Sequence, residues 1–242
     1  MDCVILCGGF ARRMWPLTRE RPKALLEVRG RPVLEHIMER LEGLEDIERV
    51  FISVNKRFEN NFRTWLGKYS PKKHVELVVE PSLSEGEKLG SIGAWNFLIR
   101  EKNLDGELLS ISGDNLFDFD LRPLLDFYGN VGETVIGVFD VRELEEAGKF
   151  GIVELDKEKR LVGFEEKPEK PKGTLASTGI YIFPGEILKM ILQYLEEGNS
   201  PDKAGFFLEW LYKVRPVFGF LFKGEWVDIG SLEAYNKLNA ER

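Results

Sequence analysis

VILCGGFARRMWPLTRERPKALLEVRGRP, residues 4–32, is the stretch around which the other features of this sequence are arranged. It begins with the apolar run Val4-Ile5-Leu6, whose length and composition predict a buried strand of a parallel sheet. The run ends at Gly8-Gly9, where the backbone can approach a ligand closely and take φ values that are closed to other residues. A strand that ends in a glycine turn is common in α/β proteins, so this feature predicts a fold class and not yet a function.

The same stretch carries a local excess of positive charge. Seven basic side chains stand against Glu20 and Glu27, which gives a local charge of +5 in a chain whose formal net charge is −7. The basic residues are Arg12, Arg13, Arg19, Arg21, Lys23, Arg29 and Arg31. Backbone N–H groups of a glycine turn, together with Arg and Lys side chains, are suited to binding a polyphosphate. The stretch contains neither G-x-G-x-x-G nor G-K-[ST], which argues against a dinucleotide fingerprint and a Walker loop.

Hydrophobic periodicity predicts alternating strands and helices up to residue 121. The predicted helices are residues 32–44, part of 58–68, and 89–99. The predicted strands after the first are residues 49–54, 75–79 and 108–112, with a loop at 80–88. This order is typical of a doubly wound, mostly parallel sheet flanked by helices, in which ligands bind outside the carboxyl ends of the strands. Gly8-Gly9 and Asp114 both follow such ends.

After Leu121 the spacing of the strands changes. Strands are predicted at 134–140, 151–155, 161–165, 176–183, 217–222 and 225–229, and helices at 184–196, 204–213 and 231–239. The short turns between these strands favour mixed or antiparallel pairing, and Ser231 is the expected N-cap of the final helix. Because no linker or repeat divides the sequence, we expect one α/β domain over residues 1–242.

Composition limits the classes of function. With 43% apolar and 31% charged residues the chain reads as a globular protein, and no apolar run approaches the roughly 20 residues that span a bilayer. No signal sequence is evident, so we expect a cytoplasmic location and no membrane partner. The acidic balance, with pI ≈ 5.2, argues against a nucleic-acid partner.

The cysteines and histidines offer no metal or triad pattern. Cys3 and Cys7 share one face of the first strand about 13 Å apart, too far for a disulfide, so both are predicted to be small buried apolar residues. His36 and His74 are the only histidines. Any chemistry is therefore expected to depend on carboxylates, lysines and arginines.

The opening stretch also resembles a known family. Residues 6–18, LCGGFARRMWPLT, followed by residues 21–26, RPKALL, resemble the two-part opening motif of the sugar-1-phosphate nucleotidylyltransferases, or NDP-sugar pyrophosphorylases. This resemblance implies a Rossmann-like nucleotidyltransferase fold in a single domain, with a nucleotide-binding half at 1–120 and a sugar-phosphate-binding half at 121–242. It implies Mg²⁺-dependent transfer of a nucleotidyl group from a nucleoside triphosphate to a sugar 1-phosphate, with pyrophosphate released. Homo-oligomer formation stays open.

The resemblance also implies roles for individual residues. The matching segments are SGDN at 112–115, WVDIGS at 226–231, EKP at 166–168 and LGSIGA at 89–94. The implied catalytic residues are Arg13, Lys23 and Lys167, and the implied Mg²⁺ ligands are Asp114 and Asp228. The implied nucleotide-binding residues are Leu6, Gly8, Gly9, Arg13, Glu80, Gly90, Ser91 and Asp114. The implied sugar-phosphate-binding residues are Gly151, Glu166, Lys167, Ser177 and Thr178.

Departures from the family pattern concern mainly the substrate. Glucose 1-phosphate with dTTP or UTP is the first expectation, with GTP and mannose 1-phosphate as the alternative. Enzymes that use thymine or uracil often carry a glutamine shortly before residue 89, where this chain has Glu80 and Glu85, and a carboxylate accepts hydrogen bonds from guanine. Ser177 stands where asparagine is usual. In the opening motif Cys7, Ala11 and Arg12 replace the commoner Ala, Gly and Thr.

Three other interpretations compete with this one. A nucleotide-sugar-dependent glycosyltransferase would use Asp118-Phe119-Asp120 as a metal-binding D-x-D. A catalytically silent paralogue would bind nucleotide sugars and regulate a partner. A nucleic-acid binder would use the basic stretch. Because residue 242 leaves no room for an appended left-handed helix or acyltransferase domain, we expect one activity.

Overall fold

The computed structural model describes residues 1–240, in which thirteen β-strands and eight α-helices follow one another. The strands are β1 Asp2–Cys7, β2 Glu27–Val28, β3 Arg31–Pro32, β4 Arg49–Asn55, β5 His74–Glu80, β6 Leu108–Ser112, β7 Asn115–Phe117, β8 Thr134–Asp140, β9 Gly151–Leu155, β10 Leu161–Glu166, β11 Leu175–Phe183, β12 Val217–Leu221 and β13 Trp226–Asp228. The helices are α1 Val33–Glu42, α2 Glu59–Tyr69, α3 Gly90–Lys102, α4 Arg122–Val131, α5 Leu144–Ala147, α6 Gly185–Glu196, α7 Ala204–Leu211 and α8 Leu232–Ala240.

A nine-stranded mixed sheet runs through the molecule in the order β10-β9-β11-β6-β1-β4-β5, with β8 pairing β11 and β12 pairing β8. β1 is central and parallel to both β4 and β6. On the other side of β6 the direction changes, because β11 runs antiparallel to it. The predicted doubly wound, mixed α/β sheet is therefore confirmed. No helix among residues 1–240 is long and apolar enough to cross a membrane.

Both faces of the sheet are covered because its central strands are apolar on both sides. Along β1, Cys3, Ile5 and Cys7 contribute to one core while Val4 contributes to the other. Helices α1, α2 and α4 pack on the first face, and α3, α6 and α7 pack on the second. The two cysteines are buried and free, as predicted. This double layer fixes the positions of the strand ends from which functional side chains extend.

The glycine turn after β1 differs from its prediction in one respect. Neither Gly8 nor Gly9 has a positive φ, whereas Ala11 does, with φ 47°. The Ala11 carbonyl accepts a hydrogen bond from Thr18 Oγ1 at 2.7 Å, which holds this left-handed residue. Gly8 is required for space, because a Cβ there would overlap the carboxylate of Glu80. The expected special φ was thus wrong at Gly8-Gly9, while the expected close approach of a ligand to this turn stays a prediction.

Five elements were not predicted from the sequence, namely β2, β3, β7, α4 and α5. Among them β7 matters most, because it pairs antiparallel with β13 in a small separate sheet. A third hydrophobic cluster packs beside this sheet and consists of Met14, Leu26, Val28, Val33, Leu116, Ile229 and Leu238. It joins the basic opening loop to β7 and to the segment after β13. Ser231 caps α8 as predicted, accepting from the Ala234 N–H at 3.2 Å.

Truncating the third cluster is expected to destabilise the fold. Ile229 has no exposed surface, so Ile229→Ala removes buried methyl groups and leaves a cavity, lowering the free energy of unfolding by about 2–4 kcal/mol. Denaturant titration of wild type and variant measures this difference. As a control, Leu144→Ala removes a side chain that is 53% exposed and should change stability by no more than about 0.5 kcal/mol. Equal effects of the two substitutions would contradict the assignment of Ile229 to a buried cluster that stabilises the fold.

Candidate active site

An open cavity lies beside the carboxyl end of β6, where the parallel and antiparallel parts of the sheet meet. Many of the residues predicted from sequence to form the site line this cavity. They are Ser91, Asp114, Gly151, Glu166, Lys167, Ser177, Thr178 and Asp228. Lys23 reaches the same place through an ion pair with Asp114. Residues from both halves of the chain therefore meet in one cavity.

The pairing of β7 with β13 brings the two predicted metal ligands together. Its register places Asp228 opposite Asn115, the residue after Asp114, and the Ile229 N–H donates to the Asp114 carbonyl at 3.0 Å. Burial, followed by the negative charge of Asp114, raises the pKa of Asp228 from 3.8 to about 6. Asp228 Oδ1 is buried and has no hydrogen-bond partner within residues 1–240. Such an atom calls for a cation or donor that arrives with a ligand.

Lys23 is the cation nearest to this carboxylate pair. Its Nζ lies 2.6 Å from Asp114 Oδ2, and its side chain is 17% exposed. Burial opposes the charged form of Lys23, but the carboxylates of Asp114 and Asp228 outweigh it and raise the pKa of the lysine. A short 3-10 turn, Lys23–Leu25, anchors it by burying Ala24 and Leu25. Lys23 is therefore held in place and charged.

Arg13 lies on the neighbouring 3-10 turn, Arg12–Met14, with Met14 buried in the third cluster beneath it. Its side chain is exposed and does not line the cavity. Its positive charge still acts on the site, because it lowers the pKa of Asp228. Burial and the charges of Asp114, Lys23 and Lys167 have larger effects on that pKa. Arg13 is therefore an exposed cation close enough to the site for its charge to act on Asp228 and Lys23.

The donor set suits Mg²⁺. No group of three or more His, Cys, Asp and Glu side chains within residues 1–240 is placed to hold a metal ion. Mg²⁺ in nucleotide sites is commonly held by one or two carboxylates, and its other ligands are waters and substrate phosphates. Asp114 and Asp228 supply such a pair, and the unpartnered Oδ1 of Asp228 supplies a free ligand atom.

The opposite wall of the cavity is built around Glu166. Its carboxylate lies between two glycines: a Cβ on Gly205 would overlap it, and a Cβ on Gly151 would lie 3.1 Å from its Oε2. Burial raises the pKa of Glu166, against the charges of Lys203 and Lys167. Lys167 has a positive φ of 51° and donates its N–H to the Phe150 carbonyl at 3.1 Å. The EKP segment therefore turns sharply at the cavity.

Ser177 and Thr178 lie on β11, and their hydroxyls are already engaged in part. Ser177 Oγ lies 3.1 Å from the Tyr181 hydroxyl, and Thr178 Oγ1 donates to the Gly137 carbonyl at 3.0 Å. The Thr178 carbonyl accepts from Asn115 Nδ2 at 2.6 Å. Thr178 thus joins β11 to β8 and to the residue beside Asp114, which leaves Ser177 as the more accessible hydroxyl.

Leu6, Gly8, Gly9, Glu80 and Gly90 do not line this cavity. Glu80 is 2% exposed, accepts from Ser53 Oγ at 2.8 Å and lies against Gly8, and burial raises its pKa. Glu80 thus packs against the glycine turn, whereas Gly90 lies at the start of α3 against the Asp202 backbone. The predicted contact of all five residues with a nucleotide stays a prediction.

The first N–H groups of α3 are occupied by hydrogen bonds to the backbone of residues 201 and 202. Gly90 has φ +75° and approaches the Asp202 backbone so closely that a Cβ would overlap it. The Ser91 N–H donates to the Asp202 carbonyl at 2.7 Å, and the Ile92 and Gly93 N–H groups donate to the Pro201 carbonyl. The hydroxyl of Ser91, and not its N–H, is therefore the group left to face the cavity.

Sequence reasoning missed several cavity residues, among them Lys149, Tyr181, Lys203, Gly205 and Trp226. Trp226 lay in a quoted motif without a role of its own. Lys203 and Gly205 stand at the start of a predicted helix, and no local pattern separates them from surface residues.

The alternative metal site fails. Asp118 Oδ1 accepts from the Glu225 N–H at 2.7 Å, and Asp120 Oδ1 accepts from the Arg122 N–H at 2.9 Å at the start of α4. Neither aspartate lines the cavity. Asp118-Phe119-Asp120 therefore serves backbone turns, which removes the support for a D-x-D glycosyltransferase.

A doubly wound sheet with a basic glycine turn and two neighbouring aspartates beside its carboxyl edge is an arrangement suited to binding a nucleotide. The chain belongs to the nucleotidyl transferase family, whose sequence profile matches residues 2–242. This confirms the resemblance of the opening motif.

The chain is also similar to individual proteins with related names. The chain is 31% identical over 230 residues to the bifunctional protein GlmU of Methanocaldococcus jannaschii, with 95% of this chain and 51% of that protein covered. It is 27% identical over 241 residues to a Sulfolobus acidocaldarius protein provisionally named mannose-1-phosphate guanyltransferase, with 100% and 63% covered. The chain thus spans only about half to two thirds of the length of these relatives.

Solved structures share the fold. One provisionally named glucose-1-phosphate thymidylyltransferase, from Bacillus anthracis, superposes with TM-score 0.85 at 24% identity, over 100% of this chain and 94% of that one. A UDP-glucose pyrophosphorylase in complex with UDP-glucose superposes with TM-score 0.80 at 20% identity, over 99% and 97%. These likenesses confirm the Rossmann-like nucleotidyltransferase fold.

Removing the buried charge of Asp228 is expected to stabilise the metal-free protein in a pH-dependent way. Because the folded pKa is raised, ionised Asp228 opposes folding above pH 6, and this cost disappears as the pH falls toward 3.8. Asp228→Asn should therefore raise the free energy of unfolding by up to about 3 kcal/mol at pH 8 and by little at pH 4. Denaturant titrations with a chelator present measure both values. A variant that is less stable than wild type at pH 8 would contradict this.

Proposed function

We propose that the protein transfers a nucleotidyl group from a nucleoside triphosphate to a hexose 1-phosphate. The observation that carries the proposal is the meeting of the Lys23–Asp114–Asp228 cluster with Glu166 and Lys167 in one cavity. One group of side chains suits a polyphosphate and its metal, and the other suits a phosphorylated sugar. A site that serves two phosphorylated substrates must neutralise charge at both ends, and this one has cations at both.

The reaction needs positioning more than proton transfer. An oxygen of the sugar phosphate attacks the α-phosphorus in line, and the bond to the β-phosphate oxygen breaks to release pyrophosphate. Because the attacking oxygen is already anionic, no general base is required. Two mutually repelling anions must instead be held together by fixed positive charges.

Three cations of this chain would do so. Arg13 offers a planar fork to the β- and γ-phosphates from the exposed turn at the entrance. Lys23 is placed to neutralise charge at the reacting phosphates. Lys167, held by the turn of the EKP segment, would bind the sugar phosphate, and Glu166 would accept hydrogen bonds from sugar hydroxyls.

Mg²⁺ would be held by Asp114 and Asp228. A bound divalent ion supplies neutralisation of phosphate charge and orientation of the triphosphate. The protein's contribution is to hold two half-buried carboxylates side by side.

Glucose 1-phosphate with dTTP or UTP is the pair we propose first, and GTP with mannose 1-phosphate is the second candidate. One observation favours the second: the Sulfolobus acidocaldarius relative, which is similar over the whole of this chain, carries the provisional name mannose-1-phosphate guanyltransferase. Glu80, which lies against Gly8, is 2% exposed and would have to become accessible before it could accept hydrogen bonds from the N1–H and N2–H₂ donors of guanine. We also propose that residues 1–120 bind chiefly the nucleotide and residues 121–242 chiefly the sugar phosphate.

Pyrophosphate release from a substrate panel tests the proposal. Each nucleoside triphosphate and dTTP is combined with Mg²⁺ and a set of sugar 1-phosphates, and the best pair identifies base and sugar. Arg13→Ala should lower kcat of that pair by about a hundredfold or more, because it removes one preorganised partner of the transition state. Arg63→Ala, which removes an exposed arginine of α2 paired with Glu59, should leave kcat unchanged.

Two results would contradict the proposal. No pyrophosphate from any pair would support a silent nucleotide-sugar binder. Wild-type turnover in Arg13→Ala would remove the role given to the arginine.

Metal binding without nucleotide offers a test that does not depend on turnover. Lys23 contacts the Asp114 oxygen that a divalent ion would need and repels such an ion by its charge. Lys23→Met should therefore tighten Mn²⁺ binding to the nucleotide-free protein about tenfold or more, measured by electron paramagnetic resonance of free Mn²⁺. Lys56→Met, which removes an exposed lysine paired with Glu59, is the control. Unchanged or weaker binding in Lys23→Met would argue against a metal site at Asp114.

A further inference from the structure

Lys203 is a cavity-lining cation to which the mechanism above gives no role. Its Nζ lies 3.6 Å from Glu166 Oε1, and its side chain is 41% exposed. Within residues 1–240 no other carboxylate forms an ion pair with it. Lys149, a second lysine at the cavity, differs because both oxygens of Glu146 accept from it at 2.7 Å. Lys203 therefore keeps donor capacity at the cavity that it lines.

The segment that carries Lys203 is fixed. The Pro201 and Asp202 carbonyls accept the N–H groups at the start of α3, and Lys88 Nζ lies 3.1 Å from Asp202 Oδ1. Gly90 lets the two backbones meet without a side chain between them. On the other side, the ammonium of Lys203 lies 5.2 Å from the centre of the Phe206 ring. Lys203 is thus held on both sides, unlike a free surface lysine.

Lys203 and Glu166 have complementary hydrogen-bonding chemistry. An ammonium offers three donors and no acceptor, whereas a carboxylate accepts. Gly151 and Gly205 let the Glu166 carboxylate pack against their backbone, and both Glu166 and Lys203 line the cavity. A hydroxyl is both donor and acceptor, so two hydroxyls on adjacent carbons match this pair, one donating to Glu166 and the next accepting from Lys203. An ammonium group in place of the hydroxyl beside Lys203 could not accept a hydrogen bond from this lysine, and the two positive charges would repel each other.

We propose that Lys203 is a specificity-determining residue that, with Glu166, recognises a vicinal diol of the sugar. This inference rests on the proposed function and narrows its substrate to hexose 1-phosphates with free neighbouring hydroxyls on the edge that faces Glu166. Lys203 donates a hydrogen bond to a sugar hydroxyl, and Lys167 binds the phosphate.

Kinetics with deoxy analogues test this assignment. Wild type, Lys203→Met and Lys203→Arg are compared on the best hexose 1-phosphate and on each of its monodeoxy analogues. Lys203→Met should raise KM for the parent sugar about tenfold or more, as expected for losing a charged hydrogen bond, with kcat within about threefold. Wild type should lose about tenfold or more in kcat/KM on one analogue, and Lys203→Met should treat that analogue and the parent alike. Lys203→Arg should recover part of the loss.

Lys213→Met is the matched control, because Lys213 pairs with Glu209 on the exposed side of α7 and lies outside the cavity. A uniform loss on every analogue in Lys203→Met would show a phosphate contact or a scaffold role and overturn the proposal. An unchanged KM would overturn it as well. Absence of product from wild type with every pair would instead contradict the proposed function, and this proposal with it.

Discussion

Two carboxylates held side by side are the constraint on which the candidate site depends. The β7–β13 register forces Asp228 next to Asp114, and the Ile229 N–H locks the backbones together. Like charges in a buried setting repel, and the raised pKa of Asp228 follows from burial and from the charge of Asp114. Lys23 lies against Asp114, while Asp228 Oδ1 has no hydrogen-bond partner among residues 1–240. Local instability of this kind is typical of sites that a ligand completes.

The remaining architecture serves to keep that cluster in place. Helices on both faces of the sheet fix the end of β6, from which Asp114 follows. The third cluster ties Met14 and Leu26 of the basic loop to Ile229, so Arg13, Lys23 and Asp228 are positioned by one small hydrophobic contact region. On the other side of the cavity, β11 runs antiparallel to β6 and brings the EKP wall to the same edge. The cavity therefore lies where the strand direction changes at β6, between the wall that carries Asp114 and the wall that carries Glu166.

The sequence predicted those parts that depend on local pattern. Central strands such as β4 and β6 are rich in apolar residues, and the alternation of such strands with helical patterns is typical of a doubly wound sheet. β7 has only three residues, too few for any period, so the pairing that unites Asp114 with Asp228 was not predictable. Gly8 was assigned a conformational role because contact with Glu80, distant in sequence, cannot be read locally. Lys203 was missed for the same reason, because only the tertiary structure brings it within ion-pair distance of Glu166.

The most direct measurement is an anomalous difference map from a crystal grown with Mn²⁺ and a non-hydrolysable nucleoside triphosphate. If Asp114 and Asp228 hold the metal together, we expect one strong peak within about 2.5 Å of a carboxylate oxygen of each. We expect the triphosphate to extend toward Arg13. A peak bound elsewhere, or one that touches neither aspartate while nucleotide is present, would contradict the account.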